Sequence, residues 1–182
     1  MGRPKPGHAG YKLERIYVVE QGYHLRDAAS VEASQSAAER EVSFGWDWRP
    51  LGPLRFEVVI DIDLHPTKDA PEDVNVRLLG VFSARQPEEL SIPFTEFVRY
   101  NAPAILFPYA REVLSTMTGR GPFGAFHVDP VNVRILAGDM DVTQTTGYRF
   151  LVEHPDTAAT FGLPYTPTPV PAQLGSGTPG GD

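Results

Sequence analysis

The run Leu54–Leu64, LRFEVVIDIDL, restricts the fold of this chain more than any other stretch. Phe56, Val58, Ile60, Ile62 and Leu64 recur at every second residue, against Glu57, Asp61 and Asp63. A period of two puts the apolar side chains on one face of a strand and the carboxylates on the other, so the segment belongs in a sheet with one face hidden. Glu41–Arg49 (EVSFGWDWR) repeats the pattern. Val42, Phe44, Trp46 and Trp48 alternate with Ser43, Gly45, Asp47 and Arg49, and PLGP at Pro50–Pro53 stops the strand. Val74–Ser83 places Val74, Val76 and Leu78 on one face, and the β-branched, aromatic run Tyr11–Leu25 supplies a further strand. Four strands with short breaks imply an antiparallel meander or Greek key.

Beyond Ser83 the period changes. In Ser91–Asn101 (SIPFTEFVRYN), Phe94, Phe97 and Val98 stand at i, i+3 and i+4, with Ser91 or Ile92 as the cap and Pro93 in the first turn. Pro103 lacks an N–H and is expected to interrupt this helix. A second helix is expected from about Ala104 to Thr118, with Leu106, Ala110, Val113 and Met117 on one face and Tyr109 and Leu114 widening it. Gly119 or Gly121 is expected to end it in a left-handed cap. Strands followed by helices give an α+β fold, a four-stranded antiparallel sheet with helices packed on one side. The expected organisation is a flexible arm at residues 1–10, one domain at 11–154, and a disordered Pro/Gly-rich tail at 155–182. Asp27–Glu39 reads equally as a loop or a short surface helix.

A chain of 182 residues suits one domain with a substantial core. Its net charge of -7 argues against a nucleic-acid partner, because phosphate neutralisation needs a basic surface. Without cysteine there are no disulfides, thiolate metal sites or cysteine nucleophiles. No apolar run approaches the roughly 18 residues of a membrane span, and the N-terminus lacks a signal-peptide core. Membrane insertion is not expected, and a cytoplasmic location is the default.

Catalytic motifs are equally scarce. His127 and Asp129 in HVDP have no further ligand at metal-site spacing. Asp61 and Asp63 could do acid–base work, but any solvent-facing strand shows that spacing. His65 is isolated at a strand end. Ser115 and Thr116 lack a nucleophile elbow, and GRGPFG lacks the glycine spacing of a phosphate cradle. No enzyme and no cofactor is expected. The concentrated feature is aromatic: Phe44, Trp46 and Trp48 on one strand face, with Phe123 and Phe126 in a loop. Such rings are either ordinary core or the lining of a groove for extended polypeptides.

Ile105–Glu112 reads ILFPYARE and is followed by Arg120–Gly121, Phe123 and PVN at Pro130–Asn132. In this order the stretch resembles the signature of the SecB family, the bacterial protein-export chaperones. ERIY at Glu14–Tyr17, FEVVIDIDL at Phe56–Leu64, GVFS at Gly80–Ser83 and NAP at Asn101–Pro103 resemble further family segments, so the likeness covers roughly Tyr11 to Leu136. The resemblance implies the same α+β fold, homotetramers built as dimers of dimers, and holdase activity toward unfolded polypeptides without ATP, metal or other cofactor. It implies client contacts at Phe44, Trp46, Trp48, Phe123, Phe126 and Val131, and subunit contacts at Val74, Val76, Leu78, Tyr109 and Val113. Docking to the motor ATPase SecA would use the sheet face that carries Glu20, Asn75 and Arg77. There Asn75 and Arg77 replace the family's usual glutamate and glutamine. After Val133 the chain departs from the family, which leaves a second reading: a dedicated chaperone for a narrow client, such as the antitoxin of a toxin–antitoxin pair.

Overall fold

A computed structural model describes residues 10–26, 40–67, 72–129, 132 and 142–162. Four strands, β1 (Tyr11–Leu25), β2 (Glu41–Gly52), β3 (Arg55–His65) and β4 (Glu72–Ala84), form one sheet in the order β1-β4-β3-β2. Every neighbouring pair is antiparallel. Three strands follow one another as neighbours and β1 returns beside β4, which is the Greek-key option. The alternation read in β3 is realised: Phe56, Val58, Ile60, Ile62 and Leu64 are completely buried on one face.

That face carries the helices. α1 (Phe94–Glu96) runs through a π turn (Phe97–Asn101) into α2 (Ala102–Thr118). Pro103 therefore does not interrupt the helix. The Ala102 N–H reaches back to the Phe97 carbonyl, and the wider turn absorbs the missing donor and the bulk of the proline ring. The buried stripe of α2 is also rotated from the expected one. Leu106, Phe107, Ala110, Leu114 and Thr118 are buried, Val113 and Met117 are half-buried, and Tyr109 is exposed.

No left-handed cap closes α2, because Gly119 keeps a helical φ of -62° and the left-handed residue of this region is Gly124 at 76°. Gly121 is required for another reason: a side chain there would strike the ring and hydroxyl of Tyr23.

Two further helices complete the described fold, α3 (Thr146–Glu153) and α4 (Pro155–Thr160). The ordered structure thus passes the boundary expected at Pro155. Pro155 starts a helix, where a missing N–H costs nothing, and Phe161 inserts among Trp48, Phe56 and Phe94. Residues 1–9, 27–39 and 163–182, which include most of the expected arm, the undecided polar segment and most of the tail, lie outside the described residues.

α3 is fastened to β2. Asp47 Oδ1 accepts hydrogen bonds from the backbone N–H groups of Trp48 (2.7 Å) and Thr146 (2.9 Å), while Oδ2 accepts from the Thr146 hydroxyl (2.5 Å). Thr145 caps the helix, its hydroxyl accepting from the Tyr148 N–H. Gly147 lies flat on Trp48. A Cβ there would overlap the indole and sit 2.6 Å from the Trp48 carbonyl oxygen. Gly147→Ala should push α3 off the strand at a cost of about 1–3 kcal/mol. Urea denaturation followed by tryptophan emission tests this. Unchanged stability with an unshifted emission maximum would disprove the contact.

Candidate functional site

The helix-side face of the sheet carries both fully buried and half-buried apolar side chains. Trp46 and Trp48 are only 4% and 3% exposed. Trp48 meets Phe94 edge-to-face at a centroid distance of 5.0 Å. Both indoles are core side chains in the protomer, not an open lining. Val74, Val76 and Leu78 are buried in the same core, so their apolar surface is already used within the chain.

Val42, Phe44, Val113, Met117 and Phe126 pack against the core while remaining half-buried, as do Tyr11, Leu13 and Ile92. Phe44 leans edge-on against Phe107 at 5.9 Å. Phe123 is half-buried in the loop Gly121–Asp129, and Val131 lies outside the described residues. Of the expected client residues, Phe44, Phe123 and Phe126 therefore keep accessible apolar surface. Val42 and Met117 are half-buried like Phe44 and Phe126. Val42 is legible in the sequence as a strand-face residue, and Met117 as part of the apolar face of the second helix.

The loop is tied down by groups distant in sequence. The Arg40 side chain, 6% exposed, forms an ion pair with the completely buried Glu72 at 2.8 Å. The same Nη2 donates to the Phe123 carbonyl at 3.2 Å, and the guanidinium lies over the Phe126 ring, 5.0 Å from its centroid. Tyr23 donates its hydroxyl proton to Glu72 Oε2 at 2.9 Å. Burial first, and the neighbouring Glu72 carboxylate second, push the Tyr23 phenol up to about 12. Thr118 Oγ1 donates to the Leu114 carbonyl (2.9 Å) and accepts from the Phe126 N–H (2.8 Å).

Among the described residues, the opposite sheet face has no helix over its centre and is mainly polar. Arg77 donates to Asp61 at 2.6 Å and to Glu20 at 3.4 Å, and Asn75 donates to Glu20 at 3.1 Å. The three expected docking residues thus form one network in which Glu20 is already paired. Asp61 belongs to the same network, which assigns that carboxylate an ion-pair role. Burial and the adjacent Asp61 charge raise Asp63 above the usual carboxylate range. His65 Nε2 lies 2.8 Å from the Ser43 hydroxyl. Ser115 and His127, read separately in the sequence, meet at 3.1 Å in an exposed contact. Among the described residues no group of three or more His, Cys, Asp or Glu has the arrangement of a metal site.

Large apolar side chains are also exposed at Leu51, at Phe150 and Val152 of α3, and in two further elements. Tyr17, Val18 and Val19, each 45–54% exposed, lie in edge strand β1, and Ile105 and Tyr109 lie on the outer side of α2. Cross-strand pairing puts Tyr17 opposite Leu79 and Val18 opposite Leu78, so the exposure spans both faces of that edge. No described helix is long and apolar enough to cross a membrane.

Comparison with known proteins agrees with this architecture. The family described as "Preprotein translocase subunit SecB" matches residues 6–138. The protein-export protein SecB of Histophilus somni (strain 2336) is 26% identical over 125 residues, covering 66% of this chain and 72% of the relative. That of Actinobacillus succinogenes is 25% identical over 125 residues, covering 66% and 74%. A solved Mycobacterium tuberculosis SecB-like chaperone, in complex with a peptide from the HigA1 antitoxin, superposes with a TM-score of 0.55 at 16% identity. That superposition covers 68% of this chain and 88% of the other. α3 and α4 lie beyond the family match, yet they pack into the core.

Proposed function

This chain belongs to the SecB family, and from that premise we propose that it is an ATP-independent holdase that retains unfolded or extended polypeptides on half-buried apolar side chains of its helix-side face. The observation that carries the reading is that Val42, Phe44, Met117 and Phe126 stay half-buried where they pack against the core, as does Phe123 in the loop that also bears Phe126. Client side chains buried there gain about 25 cal/mol per Å². Ordering the client opposes this, so several pockets must act together. Self-association fits the exposed apolar groups on the β1 edge and on α2 around Tyr109, with Val113 beside them. A tetramer assembled as a dimer of dimers would cover both.

The test is suppression of aggregation of a chemically unfolded reporter protein, with native mass recorded before and after client addition. Suppression near stoichiometric amounts, unaltered by ATP, is the expected result. Phe126→Ala should weaken client retention while leaving the folded state intact. Unimpeded aggregation at tenfold excess would sink the holdase reading.

Where clients go next has two answers. Delivery to SecA follows the family's export role and would use the Glu20, Asn75 and Arg77 face. The pairing of Arg77 with Glu20 and Asp61 favours the second reading, a dedicated chaperone for a narrow client such as an antitoxin. A cation held beside a carboxylate lowers the negative potential that a basic docking partner meets. The structurally similar mycobacterial protein was solved with an antitoxin peptide. Measuring SecA capture for the native chain and for Arg77→Gln separates the two. Salt-sensitive binding by the native chain supports export, and a toxin–antitoxin gene pair beside this gene supports the dedicated role.

A further inference from the structure

We propose that Arg40 is a positioning residue for client capture, a latch that holds the Gly121–Asp129 loop so that Phe123 and Phe126 meet a client in one pose. The inference rests on the holdase reading above and names the device that orders its binding surface. Three strands converge on the loop. Glu72 of β4 anchors the guanidinium at 2.8 Å, Tyr23 of β1 secures the other carboxylate oxygen at 2.9 Å, and Arg40 enters from the start of β2. The charge is then delivered to two loop groups, the Phe123 carbonyl and the Phe126 ring. Thr118 holds the Phe126 N–H from the opposite side. Gly121 lies so close against the Tyr23 ring that no side chain fits between them.

The chemistry suits a latch better than general stabilisation. A carbonyl and an aromatic face are the two backbone-near features that fix a ring's direction, and a guanidinium satisfies both with one planar group. A loop already ordered does not charge its ordering entropy to the client, so its loss appears as faster client dissociation. The polar cluster is withdrawn from solvent at Arg40 and Glu72, while Phe123 and Phe126 stay half-buried. The fixed part is internal and the presented part is accessible.

The chain has no cysteine, so Ala125→Cys, at an exposed loop position, gives a single nitroxide site for electron paramagnetic resonance. Loop mobility is read in that background, and dissociation of an unfolded reporter is read in unlabelled protein. Arg40→Met with Glu72→Leu removes the ion pair without stranding a charge and should fold. The expected result is a mobilised loop spectrum and client affinity about three- to tenfold weaker, the factor that one hydrogen bond's worth of order represents. Arg40→Lys, which keeps the cation but not the several donors of the guanidinium, should fall between the two. A mobilised loop with unchanged client affinity, or weakened affinity with an unchanged loop spectrum, overturns the latch. If the double variant unfolds, Arg40→Lys decides by the same two readings. Failure of the native chain to retain any client sinks the holdase reading itself, and that result is seen before any variant is compared.

Discussion

Phe56→Ala is expected to lower the free energy of unfolding by about 3–5 kcal/mol. Phe56 is completely buried at the start of β3 and touches rings from every layer of the fold. It stacks on Phe82 of β4 at 5.6 Å and meets Tyr11 of β1 edge-to-face at 6.4 Å. It also meets Phe94 (4.9 Å), Phe97 (6.1 Å) and Phe161 (6.1 Å) edge-on. Those partners come from the helix leading into α2 and from the segment after α4, so the cavity cannot collapse by moving one neighbour. Urea denaturation measures the loss. A cost below about 1 kcal/mol, the range of a surface change, would mean that this aromatic cluster does not hold sheet and helices together.

Glu72→Ala should cost a similar amount, about 3–5 kcal/mol, for an electrostatic reason. Glu72 is completely buried and Arg40 nearly so, and deleting one partner strands the other's charge away from water. Arg40→Met combined with Glu72→Leu should recover most of that loss, since neither charge then remains. Additive costs in that cycle would show that the two side chains do not interact.

Tyr23 gives a second readout. Its folded-state value of about 12 lies above the ordinary 10.0, so its contribution to stability is complete below pH 10 and is lost as pH rises toward 12. Removing Glu72 deletes one cause of that elevation. The Tyr23 titration, followed by ultraviolet absorbance, should move toward the ordinary value, leaving only the part due to burial.

The two variants bracket what was legible in the chain. Phe56 could be picked out because five alternating apolar residues admit one arrangement, a half-buried strand. Glu72 could not, because its hydrogen-bond partner Tyr23 is 49 residues away and nothing local marks either as buried. Trp46 and Trp48 show the same limit from the other side. Their shared face was readable, but not that α3 would close over it, since α3 is recognised by Gly147 against Trp48 and by Asp47 on Thr146. Phe161 was hidden within a Pro/Thr/Gly-rich stretch whose average composition masked one deeply buried ring. In the candidate site, Phe44, Phe123 and Phe126 are legible in the aromatic pattern and the family resemblance, whereas the role of Arg40 depends on where the fold brings Glu72 and the loop.

By itself the sequence determined the four strands, the side of the sheet that is hidden, the presence of a helical layer and membership of the SecB family. These follow from periodicity and from contiguous motifs, both written over a few neighbouring residues. Only the tertiary structure decided which aromatic rings stay accessible, how the Phe123–Phe126 loop is held, and that Glu20 is paired with Arg77. Each of those depends on side chains from separate strands meeting in space, and burial and charge pairing are properties of that meeting rather than of any one segment.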